Sequence, residues 1–390
     1  MNLEDLLFDL PLEQFFENYW EQKALSVVSD HPERFSSLFS LASLDQLLSG
    51  LPEKRLTLAK QGAETPVLVP EFLGGLSLSA LYAHYADGYT LVVNDLTDLQ
   101  PAVGALCTSL SHTLGARVAA NLYATPRESA GFGPHWDEHD VFILQLEGSK
   151  AWRVYDSGPE LPRILPKTLE GKSERSVREP GEPTMELQLR AGDALYLPRG
   201  TVHNAFTEDA HSLHLTLGIY TKTWEQLIIA AVQNAAQHLV GLRRGLPPGY
   251  LFRENDSSHQ HIFKNLLTEI AQAAELTPAK DVLAEQVLAS VKPCPSQHFT
   301  QLNDLASLDL DTVVARRLDA PFLLRERDAV VSLCFPGNVQ KAPAKVNEAF
   351  RFIAEATRFR VGDMPESLGD QSKILLVKHF VSKGFLHVVD

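Results

Sequence analysis

The feature that most constrains the fold is a series of short β-type segments between Ala116 and Tyr220. Each segment is rich in β-branched, aromatic and alternating apolar residues, and glycine, proline or polar turns separate it from the next. The segments read ARVAANLYATP, HDVFILQLEG, KAWRVYDSG, MELQLRAGDALYLPRG and HSLHLTLGIY. Short strands at this spacing are typical of a β-sandwich or jelly roll. We therefore expect a sandwich or jelly roll in the centre of the chain.

The regions on either side favour helices. Residues 1–115 carry apolar side chains at helical spacing, except for a strand-like section at 88–96. Residues 223–242 place an apolar stripe on one predicted helix, and more helical sequence follows. Beyond a KPCPSQ linker at 292–297, helices and short strands resemble a winged-helix module. The predicted class is α+β, with this β-rich domain and its helical N-terminal part at 1–222, a helical domain at 223–298 and a winged-helix-like domain at 299–390.

The charge balance and the cysteines narrow the function classes. Lys plus Arg total 35 and Asp plus Glu total 49, which gives a net charge of −14. An acidic surface does not neutralise phosphates, so we expect no direct binding of nucleic acid. It is compatible with a basic protein or peptide as partner. Cys107, Cys294 and Cys334 are far apart, which predicts neither a disulfide framework nor a CxxC metal site.

The sequence shows no targeting pattern. The acidic, amphipathic N-terminus lacks the basic start of a signal peptide. No run of about 18 apolar residues predicts a membrane span. We therefore expect a protein of the reducing cytoplasm.

Candidate metal ligands lie in the stretch GFGPHWDEHDVFILQLEG. Residues i and i+2 of a strand share a face, so a strand here would project His135 and Asp137 together. A third ligand is His203, because GDALYLPRGTVH fits the cupin pattern G-x5-P-x-G-x2-H. Pro198 and Gly200 set the tight turn before it. Two histidines and one aspartate on one side of a metal form the facial triad of non-haem Fe(II) oxygenases, whose other side stays open.

Three further histidines lie near these positions. On a strand, His139 shares the face of His135 but lies about 13 Å from it, too far for one metal. We therefore expect His139 at the rim, His211 at the periphery and His214 lining the pocket.

These motifs, with NLYATP at 121–126 and RRGLP at 243–247, resemble the JmjC ribosomal oxygenases, and among them the histidyl-hydroxylating type like the human enzymes. The resemblance implies a JmjC domain, which is a double-stranded β-helix (a jelly roll of the cupin type) and the catalytic domain within residues 1–222. It also implies that this domain uses Fe(II), 2-oxoglutarate and O₂. It implies hydroxylation of a side-chain carbon in a protein substrate, a basic ribosomal protein. It also implies a homodimer, formed through the helical domain that follows.

The resemblance assigns roles to further residues. Lys150 follows Asp137 by 13 residues, begins the next predicted strand, and matches the basic residue that pairs with the distal carboxylate of 2-oxoglutarate. The related bacterial arginyl-hydroxylating enzymes have an arginine there, so the lysine favours the histidyl type. The other positions implied to face the co-substrate or the substrate are Asn121, Tyr123, His214 and Thr216.

One position departs from the histidyl pattern. Those enzymes have a serine two residues after the threonine of the last strand, whereas Thr216 is followed by Leu217 and Gly218. The missing hydroxyl leaves an arginine residue, a natural-product peptide or a modified tRNA base open as targets of the same chemistry. The competing function classes are a zinc or manganese cupin enzyme, which Asp137 disfavours, and a non-catalytic JmjC binding module, which the complete triad disfavours.

Overall fold

The computed structural model describes residues 1–63, 77–163, 176–252, 257–292, 298–317, 321–327 and 329–389. The chain forms two compact units, Met1–Thr221 and Lys222–Asp390. Cys107 and Cys334 are buried free thiols. Cys294 and all of the predicted linker except Lys292 lie outside the described residues. The division of the second unit into domains at 223–298 and 299–390 stays a prediction.

Helices dominate the N-terminal part of the first unit, as predicted. The elements are α1 (Leu3–Leu7), α2 (Leu12–Asn18), β1 (Leu25–Val27), α3 (Leu41–Leu48), β2 (Leu56–Ala59), α4 (Leu78–Ala86), β3 (Thr90–Val93) and α5 (Pro101–Leu114). The strand expected at 88–96 is β3. Strands β1 and β2 were not predicted, because three or four residues are too few to establish an alternating pattern. Helix α5 starts with a proline and ends at Gly115, which adopts the left-handed conformation common at helix ends.

An antiparallel β structure fills the rest of this unit. Its strands are β4 (Arg117–Thr125), β5 (Asp140–Tyr155), β6 (Met185–Arg190), β7 (Ala194–Leu197), β8 (Val202–Phe206) and β9 (Ser212–Tyr220). The strand order is β1-β7-β5-β9-β4-β3-β2, and β6 and β8 also pair with β5. The predicted α+β class with an antiparallel core is thereby confirmed.

Strand β5 links the two halves of the barrel. Its first half pairs with β7 and β9, and its second half pairs with β6 and β8. The register shifts between Gln145 and Glu147, and Gly148 follows with φ +67°. A side chain at Gly148 would clash with the carbonyl oxygen of His211, so this bend requires glycine. The prediction that Lys150 begins a new strand is wrong, because the chain bends at a bulge here rather than turning back.

The alternation along β4 separates the core from the candidate site. Val118, Ala120 and Leu122 are buried in the apolar cluster that includes the N-terminal helices. Asn121 and Tyr123 alternate with them along the strand and therefore project from its opposite face. One strand thus contributes both to an apolar core and to the polar interior of the barrel.

The second unit combines helices with two small antiparallel sheets. Its helices are α6 (Trp224–Ala235), α7 (Val240–Arg243), α8 (Ser257–Ala273), α9 (Leu276–Ser290), α10 (His298–Asn303), α11 (Asn347–Glu355) and α12 (Asp370–Ser382). Its strands are β10 (Val313–Arg316), β11 (Leu323–Arg327), β12 (Val330–Phe335), β13 (Asn338–Pro343), β14 (Arg358–Arg360) and β15 (Leu386–Val388). The sheets have the orders β14-β10-β15 and β11-β12-β13. The helix predicted at 223–242 is shorter than expected and ends at Ala235.

A capping box starts α6, because the side chains of Thr223 and Gln226 each accept a hydrogen bond from the other residue's backbone N–H. Within the described residues, every helix is too short or too polar to span a bilayer.

Candidate metal centre

The three predicted metal ligands come together in the first unit. One ligand atom from each of His135, Asp137 and His203 lies within 4.8 Å of the others. Nε2 of His203 is 3.8 Å from Oδ2 of Asp137, and the two imidazole centroids are 4.5 Å apart. Across the described parts of the chain, this is the one group of three histidine, cysteine or carboxylate side chains with such spacing. The separations suit a single bound ion.

An isolated β-bridge, rather than a regular strand pairing, joins the two histidines. The prediction that His135 and Asp137 lie on a strand is wrong, because β5 begins only at Asp140. The Gly-Pro pair before His135 interrupts regular pairing. The backbone N–H of His135 donates to the carbonyl of His203 at 3.1 Å, and the reverse bond is 2.8 Å long. The N–H of Gly200 donates to the carbonyl of Asp137 at 2.8 Å, which ties the turn before β8 to the same segment.

Hydrogen bonds to the backbone fix the tautomers of both imidazoles. Nδ1 of His135 lies 2.9 Å from the carbonyl oxygen of Gly133, and Nδ1 of His203 lies 2.9 Å from that of Thr201. A carbonyl only accepts, so each Nδ1 carries the proton and donates it. Each Nε2 therefore keeps its lone pair. Metal-binding histidines are commonly oriented in this way.

Burial keeps His203 neutral. The pKa of His203 is lowered to about 4, chiefly by burial and then by the positive charge of His135, while Asp137 opposes the shift. Since neutral imidazole is the form that binds metals, His203 is ready to bind over the physiological pH range.

A cavity of 240 Å³ lies beside the three ligands. Of the other predicted site residues, the cavity is lined by Tyr123, Lys150, His214 and Thr216. Asn121 is not part of the lining, and its Oδ1 accepts a hydrogen bond from the backbone N–H of Asp95 at 3.0 Å. The volume is below the range of about 300–1,000 Å³ that is typical for drug-sized ligands, so the cavity suits a small molecule.

Lys150 is a buried cation without a described anionic partner. The residue is only 4% exposed, and its Nζ donates to Oγ1 of Thr125 at 2.9 Å. That hydroxyl lies 3.1 Å from Oγ1 of Thr90. Burial lowers the pKa of Lys150 to about 7. Since Lys150 forms no ion pair with the residues that the structure describes, an anionic ligand in the cavity would supply the missing charge.

An aromatic wall stands beside Lys150. The ring of His214 stacks on Tyr123 with centroids 4.8 Å apart, and Trp152 approaches it edge-on at 5.7 Å. Tyr123 and His214 are direct partners across β4 and β9, which explains the stacking. Burial, followed by the charge of Lys150, lowers the pKa of His214 well below its ordinary value. Nδ1 of His214 and Nε1 of Trp152 are buried without a hydrogen-bond partner in the described structure, so both nitrogens are available to a polar ligand.

His139 occupies the space next to the position where the expected serine is missing. A Cβ added to Gly218 would lie 3.1 Å from Cε1 of His139. The imidazole also packs edge-on against Tyr220, with centroids 4.7 Å apart. His139 and His211 are outside the cavity lining, in agreement with the positions expected for them. The absence of a side chain at Gly218 is thus what makes room for His139.

Two functional contacts were not predicted. Thr125 hydrogen-bonds Lys150, and its place two residues after Tyr123 on β4 could have indicated the shared face. Thr90 lines the cavity from β3. Its sequence neighbourhood carries no signal of that role, because only the pairing of β3 with β4 brings it there.

Comparisons with known proteins find relatives of the region that holds the three candidate ligands. The JmjC domain family matches residues 98–227, which contain all three candidate ligands. A Drosophila mojavensis protein named bifunctional lysine-specific demethylase and histidyl-hydroxylase NO66 is 36% identical over 256 residues, 62% of this chain and 28% of the relative. The Drosophila melanogaster protein of the same name is 31% identical over 336 residues, 82% of this chain and 50% of the relative. The chain thus spans half or less of the length of these two relatives.

A solved structure shares the architecture over nearly the whole chain. The Escherichia coli ribosomal oxygenase YcfD, in complex with cobalt and 2-oxoglutarate, superposes with a TM-score of 0.57 at 18% identity. The match covers 98% of this chain and 99% of that structure. YcfD with cobalt and succinic acid gives a TM-score of 0.56 at 17% identity. At this identity the likeness concerns the fold. Residues 98–227 therefore match the JmjC domain family, in a chain that has the fold of YcfD and sequence relatives named as histidyl-hydroxylases.

Proposed function

We propose that this protein is an Fe(II)- and 2-oxoglutarate-dependent oxygenase that hydroxylates a histidine side chain of a ribosomal protein. The balanced reaction converts R–H, 2-oxoglutarate and O₂ into R–OH, succinate and CO₂. The observation that carries the proposal is the combination of an open two-histidine, one-carboxylate triad with a buried Lys150 in the same cavity that has no anionic partner among the described residues.

The donor set fits Fe(II). His135, Asp137 and His203 would hold the metal through two imidazole Nε2 atoms and one carboxylate oxygen. The mixed nitrogen and oxygen donors and the open side favour a non-haem iron over a structural zinc, which takes four protein ligands. Bound iron, with its co-substrates, supplies the oxidation that inserts oxygen into an unactivated C–H bond. The protein contributes ligands, orientation and exclusion of water.

The cavity fits 2-oxoglutarate. A dianion of this size needs a cation at its distal end, and Lys150, whose Nζ donates to the Thr125 hydroxyl, lines the cavity. A charge-assisted hydrogen bond from a buried ammonium is strong, because water does not screen it. His214 offers an unpartnered Nδ1 in the wall, and Thr216 lines the cavity near it. Tyr123 lines the cavity and would pack against the bound molecule. Asn121 lies outside the lining and would contact the co-substrate or the substrate only at the edge of the cavity.

The substrate class is inferred from two features. The net charge of −14 favours a basic partner, and ribosomal proteins are basic. The sequence relatives are named histidyl-hydroxylases and the structural match is named a ribosomal oxygenase, which together support histidine in a ribosomal protein. An arginine residue is the second candidate, because Gly218 lacks the hydroxyl expected of the histidyl type and His139 occupies that space. The cytoplasm is the compartment consistent with such a substrate.

We also propose that the protein is a homodimer formed through the helices after residue 222. On α6, Trp224 is 77% exposed and Ile228 is 60% exposed. On α8, Ile262 and Phe263 are 54% and 61% exposed. Large apolar side chains in such number on two helices are typical of a protein interface. The paired change Ile228→Asp and Phe263→Asp should shift the mass measured by light scattering from dimer to monomer, and a monomeric wild type would refute the dimer.

A binding experiment tests the enzyme proposal independently of the substrate. Isothermal titration of 2-oxoglutarate into Co(II)-loaded protein should show one site per chain, and binding should be lost when either Co(II) or Lys150 is removed. A zinc or manganese cupin isomerase would show no such dependence on Lys150. Equal binding by wild type and Lys150→Met would contradict the proposal.

A further inference from the structure

A buried ion pair lies behind the metal ligands, outside the cavity. Asp140 is fully buried and Arg199 is 7% exposed. Nη1 of Arg199 lies 3.2 Å from Oδ2 of Asp140, and the backbone N–H of Arg199 donates to Oδ1 at 3.2 Å. Neither residue lines the cavity, so neither can touch a molecule bound there. Any influence of the pair on the site therefore passes through the chain segments that carry it.

The pair belongs to a closed polar network. The Arg199 guanidinium also pairs with the carboxylate of Glu21 and donates to Oγ1 of Thr221 at 3.0 Å. The hydroxyl of Tyr196 donates to Oδ1 of Asp140 at 3.2 Å and accepts from the backbone N–H of Glu21 at 2.9 Å. Glu21 has φ +54°, a conformation that non-glycine residues seldom adopt unless their surroundings impose it. Asp140, Arg199, Tyr196 and Glu21 are therefore each held by at least two other members of the network.

The network joins the two segments that supply metal ligands. Asp140 begins β5 three residues after Asp137, and Arg199 precedes His203 by four residues in the turn before β8. Gly200, the residue after Arg199, donates its N–H to the carbonyl of Asp137 at 2.8 Å. A change in the separation of Asp140 and Arg199 would thus change the separation of the ligand-bearing segments.

We propose that Arg199 is a positioning residue for the metal: by bridging Asp140 and Glu21 it sets the spacing between Asp137 and His203 and so determines metal affinity. This inference rests on the proposed function. A buried ion pair contributes little net stability, since desolvation offsets the attraction, but it can specify one geometry. Arginine suits this role because its rigid planar fork holds Nη1 in contact with both carboxylates, whereas the compact ammonium of lysine lies on a flexible stem.

The test is the affinity for Co(II) alone, measured by titration at a temperature where the protein is folded by circular dichroism. Arg199→Lys keeps the charge and removes the fork. We expect it to raise the Kd for Co(II) about tenfold or more, the effect usual for groups that orient metal ligands, and to alter the visible absorption of bound Co(II). The matched control is Arg325→Lys, because Arg325 also bridges two carboxylates, Asp281 at 3.4 Å and Glu285 at 2.9 Å, but in the second unit. The control should keep the Kd within about twofold.

A second variant covers the case in which Arg199→Lys does not fold. Glu21→Gln removes the outer carboxylate, whose side chain is 30% exposed, so the fold tolerates the change better. It should raise the Kd for Co(II) about threefold or more. Wild-type Kd and absorption in either folded variant would overturn the inference while leaving the proposed function intact. A wild-type protein that binds no Co(II) would instead refute the proposed function, which makes the two failures distinguishable.

Discussion

His135 and His203 donate their backbone N–H groups to each other's carbonyl oxygens, at 3.1 and 2.8 Å, although the two residues are 68 positions apart in the chain. Each imidazole also donates from Nδ1 to the backbone carbonyl of the residue two positions before it, Gly133 for His135 and Thr201 for His203. The main chain therefore sets both the distance between these ligands and the nitrogen that each presents. Because main-chain contacts define this arrangement, side-chain changes at the site should affect chemistry more than folding.

The first prediction concerns His203→Ala. The bridge to His135 is a main-chain contact and survives the change, but the site keeps only two ligands. We expect the variant to fold, to bind Fe(II) too weakly for turnover and to form no succinate with any substrate. Succinate formation by the purified protein measures this, with His112→Ala, an exposed histidine on α5, as the control that keeps full activity. Turnover by His203→Ala at the wild-type rate would remove His203 from the metal site.

The second prediction concerns Lys150→Met, which should separate stability from binding. Burying an amine without a counter-ion costs free energy, so the apolar methionine should raise the free energy of unfolding of the ligand-free protein by roughly 1–3 kcal/mol. The same change should abolish 2-oxoglutarate binding. Thermal denaturation with and without 2-oxoglutarate measures both effects: wild type should gain stability from the ligand, and the variant should not. A variant that is less stable alone and still stabilised by 2-oxoglutarate would show that Lys150 has a purely structural role.

The third prediction is a pH dependence of 2-oxoglutarate binding. The pKa of Lys150 is lowered from 10.5 to about 7 by burial, so the free protein loses the ammonium as the pH rises through 7. Pairing with the ligand carboxylate requires the ammonium, and binding above pH 7 must therefore take up a proton. We expect the Kd to increase with pH above 7, by at most about tenfold per pH unit. Calorimetry at pH 8 in two buffers of different ionisation enthalpy should show this proton uptake, and equal heats in the two buffers would exclude it.

The same pKa shift affects folding with a defined sign. Because the folded pKa lies below the unfolded one, the unfolded chain binds more protons between pH 7 and 10.5. The contribution of Lys150 to stability therefore improves as the pH rises through that window. Lys150→Met should lack this contribution, so its advantage over wild type should shrink from pH 7 toward pH 10.

The fourth prediction concerns Gly218→Ser. The new Cβ would lie 3.1 Å from Cε1 of His139, so the imidazole must move. We expect a loss of about 1–3 kcal/mol in the free energy of unfolding, as for other overpacked sites. The double variant with His139→Ala should recover much of this loss, because the alanine vacates the space. Denaturant unfolding of the two single variants and the double variant gives the coupling, and strictly additive effects would mean that His139 and residue 218 do not compete.

The β core and the identity of the ligands can be read from sequence for a physical reason. Alternation with period 2 and the G-x5-P-x-G-x2-H turn are local signals, and β4, β8 and β9 follow from them. The same holds for His203, which the turn delivers to the start of β8. His135 lies in the site as predicted but not on a regular strand, because an isolated bridge depends on a partner 68 residues away.

The remaining features of the site depend on long-range packing and had no local signal. At the bend in β5, Gly148 lies against the carbonyl of His211, which leaves no room for a side chain, and no local pattern predicts that contact. Thr90 reaches the cavity through the pairing of β3 with β4, and the Arg199 network closes through Glu21, which lies 178 residues away in the chain. Such contacts between distant segments are fixed by the fold as a whole rather than by the neighbouring residues.

The most direct test is mass spectrometry of a ribosomal-protein mixture after incubation with the purified protein, Fe(II), ascorbate, 2-oxoglutarate and O₂. We predict that one ribosomal protein gains a single oxygen atom on a histidine side chain, and that His203→Ala produces no such product. Oxygen on an arginine would keep the enzyme chemistry and correct the substrate residue. If wild-type protein that binds Fe(II) and 2-oxoglutarate showed no oxygen incorporation and formed no succinate, that result would contradict the proposed ribosomal oxygenase activity.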